Sequence, residues 1–276
     1  MNERPLTPYL CLAGAVMLWG TSFAAMKYAL LGFSPLGVVF LRMVLASALL
    51  ACVWGRVPKA GRRRGDLAWL GLMCLLQPCL YFLLEGNAVA LTTSAQAGMI
   101  SSLVPLLVAA GAWAFLREAL SGRMLAGLGL SLGGVVWLSL GGAAEHGAPN
   151  PALGNLLELL AMCCASGYML VLKHLSNRYD SWHLTGLQVF AGALFFLPGA
   201  LLGEPAWLHD PKAACAAVPV EAWLAVAYLG AVVTLGAFGL YHRAVATLAS
   251  AQAAASINLV PLVAVFAGWL LLGEAL

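Results

Sequence analysis

The feature that most constrains this chain is a succession of apolar stretches, each long enough to cross a bilayer and joined by very short connections. A spanning helix needs about 20 mostly apolar residues. The chain offers nine such stretches, at residues 8–30, 35–54, 67–89, 92–116, 122–141, 152–172, 182–203, 221–243 and 249–272. Charged residues are 9% of the 276, against about 25% in a soluble domain, whose surface must be hydrated. Mean hydropathy is +0.92, so lipid is the solvent expected around most of the chain, and the expected fold class is all-α integral membrane. The first stretch is too long for a cleavable signal segment, whose apolar region runs about 7–15 residues. Six of the seven cysteines fall in apolar stretches and only Cys215 in a loop, which argues against a disulfide framework.

Orientation follows from the distribution of Lys and Arg, which accumulate in short cytoplasmic loops. Arg56, Lys59, Arg62, Arg63 and Arg64 sit in one loop, and Arg4, Arg117, Arg123, Lys173, Arg178 and Arg243 share its side. That is eleven of the fourteen basic residues; the opposite loops hold Lys212, and Lys27 and Arg42 lie within helices. The expectation is a multi-pass protein of a bacterial inner (plasma) membrane with a cytoplasmic N-terminus. A net charge of +3 gives no reason to expect a nucleic-acid partner.

The chain also repeats itself. Ser94-Ala95-Gln96-Ala97, Leu103-Val104-Pro105-Leu106, Trp113 and Glu118-Ala119-Leu120 recur as Ser250-Ala251-Gln252-Ala253, Leu259-Val260-Pro261-Leu262, Trp269 and Glu274-Ala275-Leu276, all at an offset of 156. A weaker match at offset 146 pairs Lys27 with Lys173 and Arg42 with Gln188. The matched segments lie five spans apart, and an odd number of spans reverses direction. The expected organisation is therefore two inverted halves, residues 1–141 and 152–276, of five helices each. Ten helices are expected and nine are present, so the sequence reads as ending one helix short. Loop charge agrees: the basic loop 55–66 corresponds to 203–220, which holds a single Lys. Inverted repeats around a site at the membrane midplane are the architecture of secondary transporters.

Trp19-Gly20-Thr21-Ser22-Phe23 followed by Lys27, Leu41-Arg42 in the second helix, and the duplicated run from Ser94 through Pro105 to Glu118-Ala119-Leu120 resemble EamA-type carriers of the drug/metabolite transporter superfamily. The resemblance covers essentially the whole chain. It implies ten helices in two inverted repeats and export of amino acids or other small metabolites. In the second half Ala165-Ser166-Gly167 stands in place of Trp-Gly-Thr, and Gln188 in place of the arginine.

Ionisable groups inside a membrane are costly and usually face a cavity or a partner. Lys27, Arg42 and Glu85 fall at similar depth and form a candidate charge network, with Glu85 as a cation or proton site; Lys27 and Arg42 could equally snorkel to the interface. Lys173 is the counterpart of Lys27. Glu158, about two turns into the sixth span, is a candidate for the vestibule wall or for a buried pair. Ser102 (with Ser101) and Asn258 precede Pro105 and Pro261, where a proline frees a backbone carbonyl, and either serve substrate or satisfy that carbonyl. Trp19, Gln77, Tyr81, Tyr168, Thr234 and Phe238 fall near the midplane and are candidates for contact with an apolar or cationic substrate, or for helix packing. Trp113 and Trp269 read as interface anchors. Gly127, Gly129, Gly133 and Gly134 suggest close helix packing; a homodimer is conceivable, a monomer the expectation.

The expected function is a secondary transporter exporting amino acids or similar small organic metabolites by alternating access, as a uniporter or coupled to protons, with no cofactor and no metal. The partners are a small-molecule substrate and the bilayer. The alternatives are a carrier of organic cations, drugs or nucleotide-type metabolites and, further off, an integral membrane enzyme or a non-transporting receptor. No aspartate pair lies within a span, and His146, His174, His183, His209 and His242 lack ligand spacing, which speaks against the enzyme.

Overall fold

The computed structural model describes residues 6–57, 65–116, 148–176, 178–203, 211–248 and 256–274, with scattered positions between 122 and 137. The described residues are helical and form no strand. The helices are α1 (Leu6–Ala29), α2 (Pro35–Val53), α3 (Asp66–Leu91), α4 in two parts (Ser94–Ser101 and Val104–Leu116), α5 (the helical positions between 122 and 137), α6 (Pro151–Ser176), α7 (Ser181–Gly203), α8 (Val220–Thr247) and α9 (Ile257–Leu272). Seven of these are long and apolar enough to cross a membrane, namely α1 to α4 and α6 to α8, while α9 is shorter and equally apolar. The basic residues Arg4, Lys59, Arg62, Arg63, Arg64 and Arg117, and the repeat segments 118–120, 250–253 and 275–276, lie outside the described residues.

Helix boundaries follow from local chemistry. Ser34 opens α2, its hydroxyl accepting from the Gly37 N–H at 3.2 Å, and Pro35 supplies a first-turn residue that needs no N–H. Thr93 opens α4 in the same way, accepting from Gln96 N at 3.1 Å. Inside α3, Pro78 cannot donate to the helix and pushes its predecessor out of the helical region. Gln77 accordingly adopts φ −148° and ψ 119°, and the helix is kinked there. α4 breaks just before Pro105, and α9 passes through a tight turn at Ile257–Leu259 just before Pro261. The two breaks fall at equivalent positions of the repeat.

The packing is that of two inverted halves. α2 meets its own counterpart α7, with Leu36 against Gly199, Met43 against Gly192 and Trp54 against Gly186. One number rises as the other falls, so equivalent helices run antiparallel. α4 and α9 repeat the pattern: Ser94 lies at Gly268 and Gly98 at Ala264. The remaining contacts come in matched sets. α1 packs on α8 and α9, while α6 packs on α3 and α4. Below, the side where α1 begins is the near face and the side where it ends is the far face.

Glycine sets the tightest of these crossings. A β-carbon on Gly98 would lie 2.3 Å from that of Ala264, and one on Gly186 would lie 2.2 Å from the Trp54 ring. Small residues are what allow helices to approach closely where lipid supplies no hydrophobic drive between them. By contrast a β-carbon on Gly71 would meet nothing within 4 Å. Gly98→Val should therefore push α4 from α9 and cost about 1–3 kcal/mol, the usual range for overpacking. Gly71→Ala should leave stability nearly unchanged. Thermal unfolding in detergent compares the two; equal midpoints would show that the α4–α9 crossing is not tightly packed.

Candidate functional site

The two halves enclose a cavity at the centre of the bundle. Its walls are Trp19, Ser22 and Phe23 of α1, Arg42 of α2, Gln77, Tyr81, Phe82 and Glu85 of α3, with residues of α4, α6 and α9 completing it. The cavity is narrow, about 50 Å³. That is room for about four waters at 10–15 Å³ of solvent-sphere volume each, and too little for an amino acid with a side chain until the helices part.

Arg42 is the centre of the charged part. It is 4% exposed and held in three ways. Its Nε donates to Thr234 Oγ1 of α8 at 3.1 Å. Its guanidinium carbon lies 4.4 Å from the centre of the Phe82 ring, a cation–π contact worth about 2 kcal/mol when desolvated. Glu85 is the main charge acting on it. Thr234 is fixed in turn by donating to Leu229 O at 2.7 Å, and Tyr81 donates to Glu85 Oε1 at 2.6 Å. The kink at Gln77 exposes a backbone carbonyl, which accepts from Gln188 Nε2 of α7 at 2.8 Å. Gln188 thus occupies the second-half position equivalent to Arg42 without its charge.

The near-face end of the cavity rests on an uncharged polar cluster. His242 of α8 is fully buried, its Nε2 bonded to Tyr168 Oη of α6 and its Nδ1 to Thr185 Oγ1 of α7 at 3.0 Å. Tyr241 beside it packs on Trp19, ring centres 4.9 Å apart. Closer to the near face, Asp66 at the start of α3 takes an ion pair from Arg178 at 2.7 Å and a bond from Tyr179 Oη at 2.9 Å.

At the far face a carboxylate joins the end of α9 to the start of α4. α9 ends at Gly273, whose φ of +66° turns the chain back; Gly273 N donates to Trp269 O and Glu274 N to Gly268 O, each at 3.2 Å. This is a left-handed glycine ending, in which the N–H of Gly273 closes the last turn. It lays Glu274 over the start of α4, where Oε1 accepts from Ser94 N at 3.0 Å and Oε2 from Ser94 Oγ at 2.7 Å and Ala95 N at 3.1 Å. Unpaired N–H groups at a helix start favour an anion there. A β-carbon on Gly268 would sit 2.6 Å from Glu274 Oε2, so glycine at that position is a condition of the contact.

Among the candidates from sequence, Trp19, Arg42, Gln77, Tyr81, Glu85 and Tyr168 meet at the cavity wall. Thr234 stands behind Arg42, and Phe238 packs on Phe82 and His242 at ring distances of 6.3 and 6.0 Å. Ser101 lines the cavity, whereas Ser102 donates to Met99 O within its own helix. Asn258 is exposed, and its neighbours Ile257 and Val260 face inward. Lys27 is half-buried in α1 with Glu274 as its charged neighbour. Lys173 donates to Val245 O and Leu248 O at 2.9 and 2.8 Å, closing the end of α8 rather than the cavity. Glu158 is buried behind the wall. His242, Thr185 and Ser22 were not singled out from sequence; a buried histidine is visible there only once three helices are superposed. Among the described residues no cluster of His, Cys, Asp or Glu could hold a metal.

The sequence matches the EamA-like transporter family twice, over residues 6–140 and 152–276. The chain belongs to this family. EamA-type relatives of similar length agree. A probable terminal-alkyne amino-acid exporter of Streptantibioticus cattleyicolor is 27% identical over 94% of this chain and 83% of its own. An S-adenosylmethionine/S-adenosylhomocysteine transporter of Chlamydia trachomatis is 27% identical over 94% and 80%. A crystal structure of a protein that is 22% identical aligns over 98% of this chain and 89% of its own, with a TM-score of 0.66, and shows the shared fold. This EamA protein is thus a multi-pass membrane transporter of small molecules, not an enzyme.

In this EamA chain Arg42 is buried without a direct ion pair among the described residues, and Glu85 is the carboxylate that acts on it across the cavity wall. Removing either charge loses this interaction, and charges within one network typically couple by about 0.5–3 kcal/mol. Arg42→Leu should lower the thermal midpoint in detergent sharply, and Arg42→Leu with Glu85→Leu should recover much of the loss. Additive losses in this double-mutant cycle would show that the two charges do not interact.

Proposed function

We propose that this EamA transporter exports amino acids or similar small organic metabolites across a bacterial inner membrane by alternating access, with the near face and N-terminus in the cytoplasm. The observation that carries the reading is the central cavity between inverted halves, lined by one cation, one anion and several aromatic rings, and latched on the far face by Glu274. Arg42 suits a carboxylate and Glu85 an ammonium group, the two charges of a free amino acid, while Trp19, Phe82 and Tyr168 give its side chain apolar surface. The relative described as an amino-acid exporter supports the same class. The basic residues along the near side fit a cytoplasmic location.

A second reading has its own support. Aromatic faces beside Glu85 would also hold an organic cation or a nucleoside-bearing sulfonium, and a relative is described as an S-adenosylmethionine transporter. Counterflow in proteoliposomes, comparing labelled amino acids with S-adenosylmethionine, separates the two. Saturable exchange of an amino acid supports the first reading, and exchange of S-adenosylmethionine alone supports the second.

Alternating access requires the far-face latch to release. The carboxylate makes three hydrogen bonds to the start of α4, and losing a helix-capping group typically costs about 1 kcal/mol or somewhat more. Glu274→Ala should therefore raise the far-face-open fraction by about tenfold, since 1.4 kcal/mol is a factor of ten. The measurement is labelling of Ser101→Cys, in a background without the native cysteines, by a membrane-impermeant thiol reagent applied from outside. An unchanged labelling rate would mean that Glu274 does not hold the far face.

A further inference from the structure

Among the described residues Glu158 is the one fully buried carboxylate without a hydrogen bond. It is fully buried in α6, and neither Oε1 nor Oε2 has a hydrogen-bond partner. A buried carboxylate in this condition is among the most expensive groups a protein can hold. It becomes tolerable when it carries a proton or meets a cation.

Among the described residues packed around it, none supplies a spare cation. From α3, which packs along α6, Glu85 and Tyr81 are the ionisable groups that act on it. Residues 94–116 of α4 contain no acid, base or tyrosine. α8 brings Tyr241 and His242, the latter bonded at the depth of Tyr168, about three turns from Glu158 at 3.6 residues per turn. On α6 itself, Cys163 and Cys164 follow, then Tyr168, Lys173 and His174 towards the near face. Arg42 lies beyond Glu85, over the Phe82 ring. The cluster therefore holds two carboxylates and one guanidinium. Arg42 balances one carboxylate, and a second positive charge is needed for the other.

Position on the helix says where that charge comes from and goes. Asn155, Glu158, Met162 and Ala165 recur at the three- and four-residue spacing that aligns them on one face of α6. Met162 and Ala165 line the cavity. Asn155, on the far-face side, is fully buried in a polar cluster, with Thr92 Oγ1 2.8 Å from its Oδ1 and its Nδ2 donating to Gln96 Oε1 at 3.1 Å. Glu158 thus sits between a buried polar cluster on its far-face side and the Glu85 wall of the cavity.

We propose that Glu158 is a proton-binding site, loaded from the far face, whose proton is exchanged against the cationic group of cargo bound at Glu85. The inference rests on the carrier reading and fixes its coupling as proton antiport. With the cavity empty, Glu158 carries the proton and the cluster is neutral. Cargo entering from the near face brings an ammonium group to Glu85 and Glu158, and the proton leaves to the near side. After the halves exchange access, a proton from the far side returns to Glu158 and releases the cargo. One proton moves inward for each positive charge moved outward.

The site is tested first on purified protein without cargo. Infrared difference spectra between acidic and alkaline pH should show a protonated-carboxyl band in the wild type and in Glu85→Gln, lost in Glu158→Gln. The wild-type thermal midpoint should fall as pH rises, because charging Glu158 leaves it unpaired; that slope should vanish in Glu158→Gln, whose neutral amide keeps the shape. An unchanged band and slope in Glu158→Gln, or stabilisation by sodium in place of protons, would overturn the proton site. Coupling is then tested in proteoliposomes with a panel of labelled amino acids. A pH gradient should drive wild-type flux several-fold above its value without a gradient, with any flux by Glu158→Gln indifferent to it. Wild-type flux that ignores the gradient overturns the coupling. Absence of flux for every amino acid and for S-adenosylmethionine, with the band and slope present, overturns the carrier reading and leaves the proton site standing.

Discussion

A guanidinium cannot shed its charge inside a membrane, so Arg42 dictates much of what surrounds it. It needs an anion, donors' partners and a polarisable face within reach, and these arrive from different helices: Glu85 and Phe82 from α3, Thr234 from α8. Each supplier is constrained in turn. Thr234 must present its oxygen, and does so by spending its own proton on the carbonyl of Leu229. α8 must come close, and a β-carbon on Gly230 would lie 3.0 Å from the carbonyl of Arg42. Glu85 must be held off the lipid, and Tyr81 holds it. The charge thereby ties α2, α3 and α8 together at one depth, and the cavity is the space left beside that knot.

The second half solves the same position differently. Gln188 sits where the repeat has Arg42, and it binds the Gln77 carbonyl exposed at the kink in α3. The substitution removes a charge and keeps a donor. One half of the cavity is consequently ionic and the other neutral, with His242 bonded to Tyr168, Thr185 and the Ser181 carbonyl. Inverted halves of unequal polarity give the cavity a direction. A zwitterionic cargo would lie with its charged end towards Arg42 and Glu85 and its side chain towards Trp19 and Tyr168.

Spans, repeat and family were legible because apolar length and a constant offset are one-dimensional properties of a sequence. Arg42 and Glu85 stood out because a charge within an apolar stretch is conspicuous. Which face of a helix turns inward was not legible in the same way. Lipid and protein core are equally apolar, so these helices carry no polar stripe to mark the outside. Ser101 and Ile257 line the cavity rather than Ser102 and Asn258 for this reason: the breaks before Pro105 and Pro261 rotate the chain by an amount that no periodicity records. His242 was invisible for a different cause. Its partners lie on three helices, and its polarity is satisfied within the bundle instead of being announced by a motif.

The far-face latch shows how a repeat becomes asymmetric through side chains alone. Its carboxylate has a counterpart by offset, Glu118, and its receiving helix start has Ser250 and Ala251. The glycines that make the contact possible are not repeated. Gly273, which turns the chain back with a positive φ, corresponds to Arg117; Gly268, whose missing β-carbon leaves room for the carboxylate, corresponds to Ala112. A β-carbon on Gly268 would come within 2.6 Å of the Glu274 carboxylate. On the alternating-access reading, the contact made by Glu274 favours the state that holds it. A carrier resting with its far face shut is loaded from the near side, which is the bias an exporter needs. A small difference suffices, since two glycines and about 1.4 kcal/mol shift a two-state equilibrium tenfold.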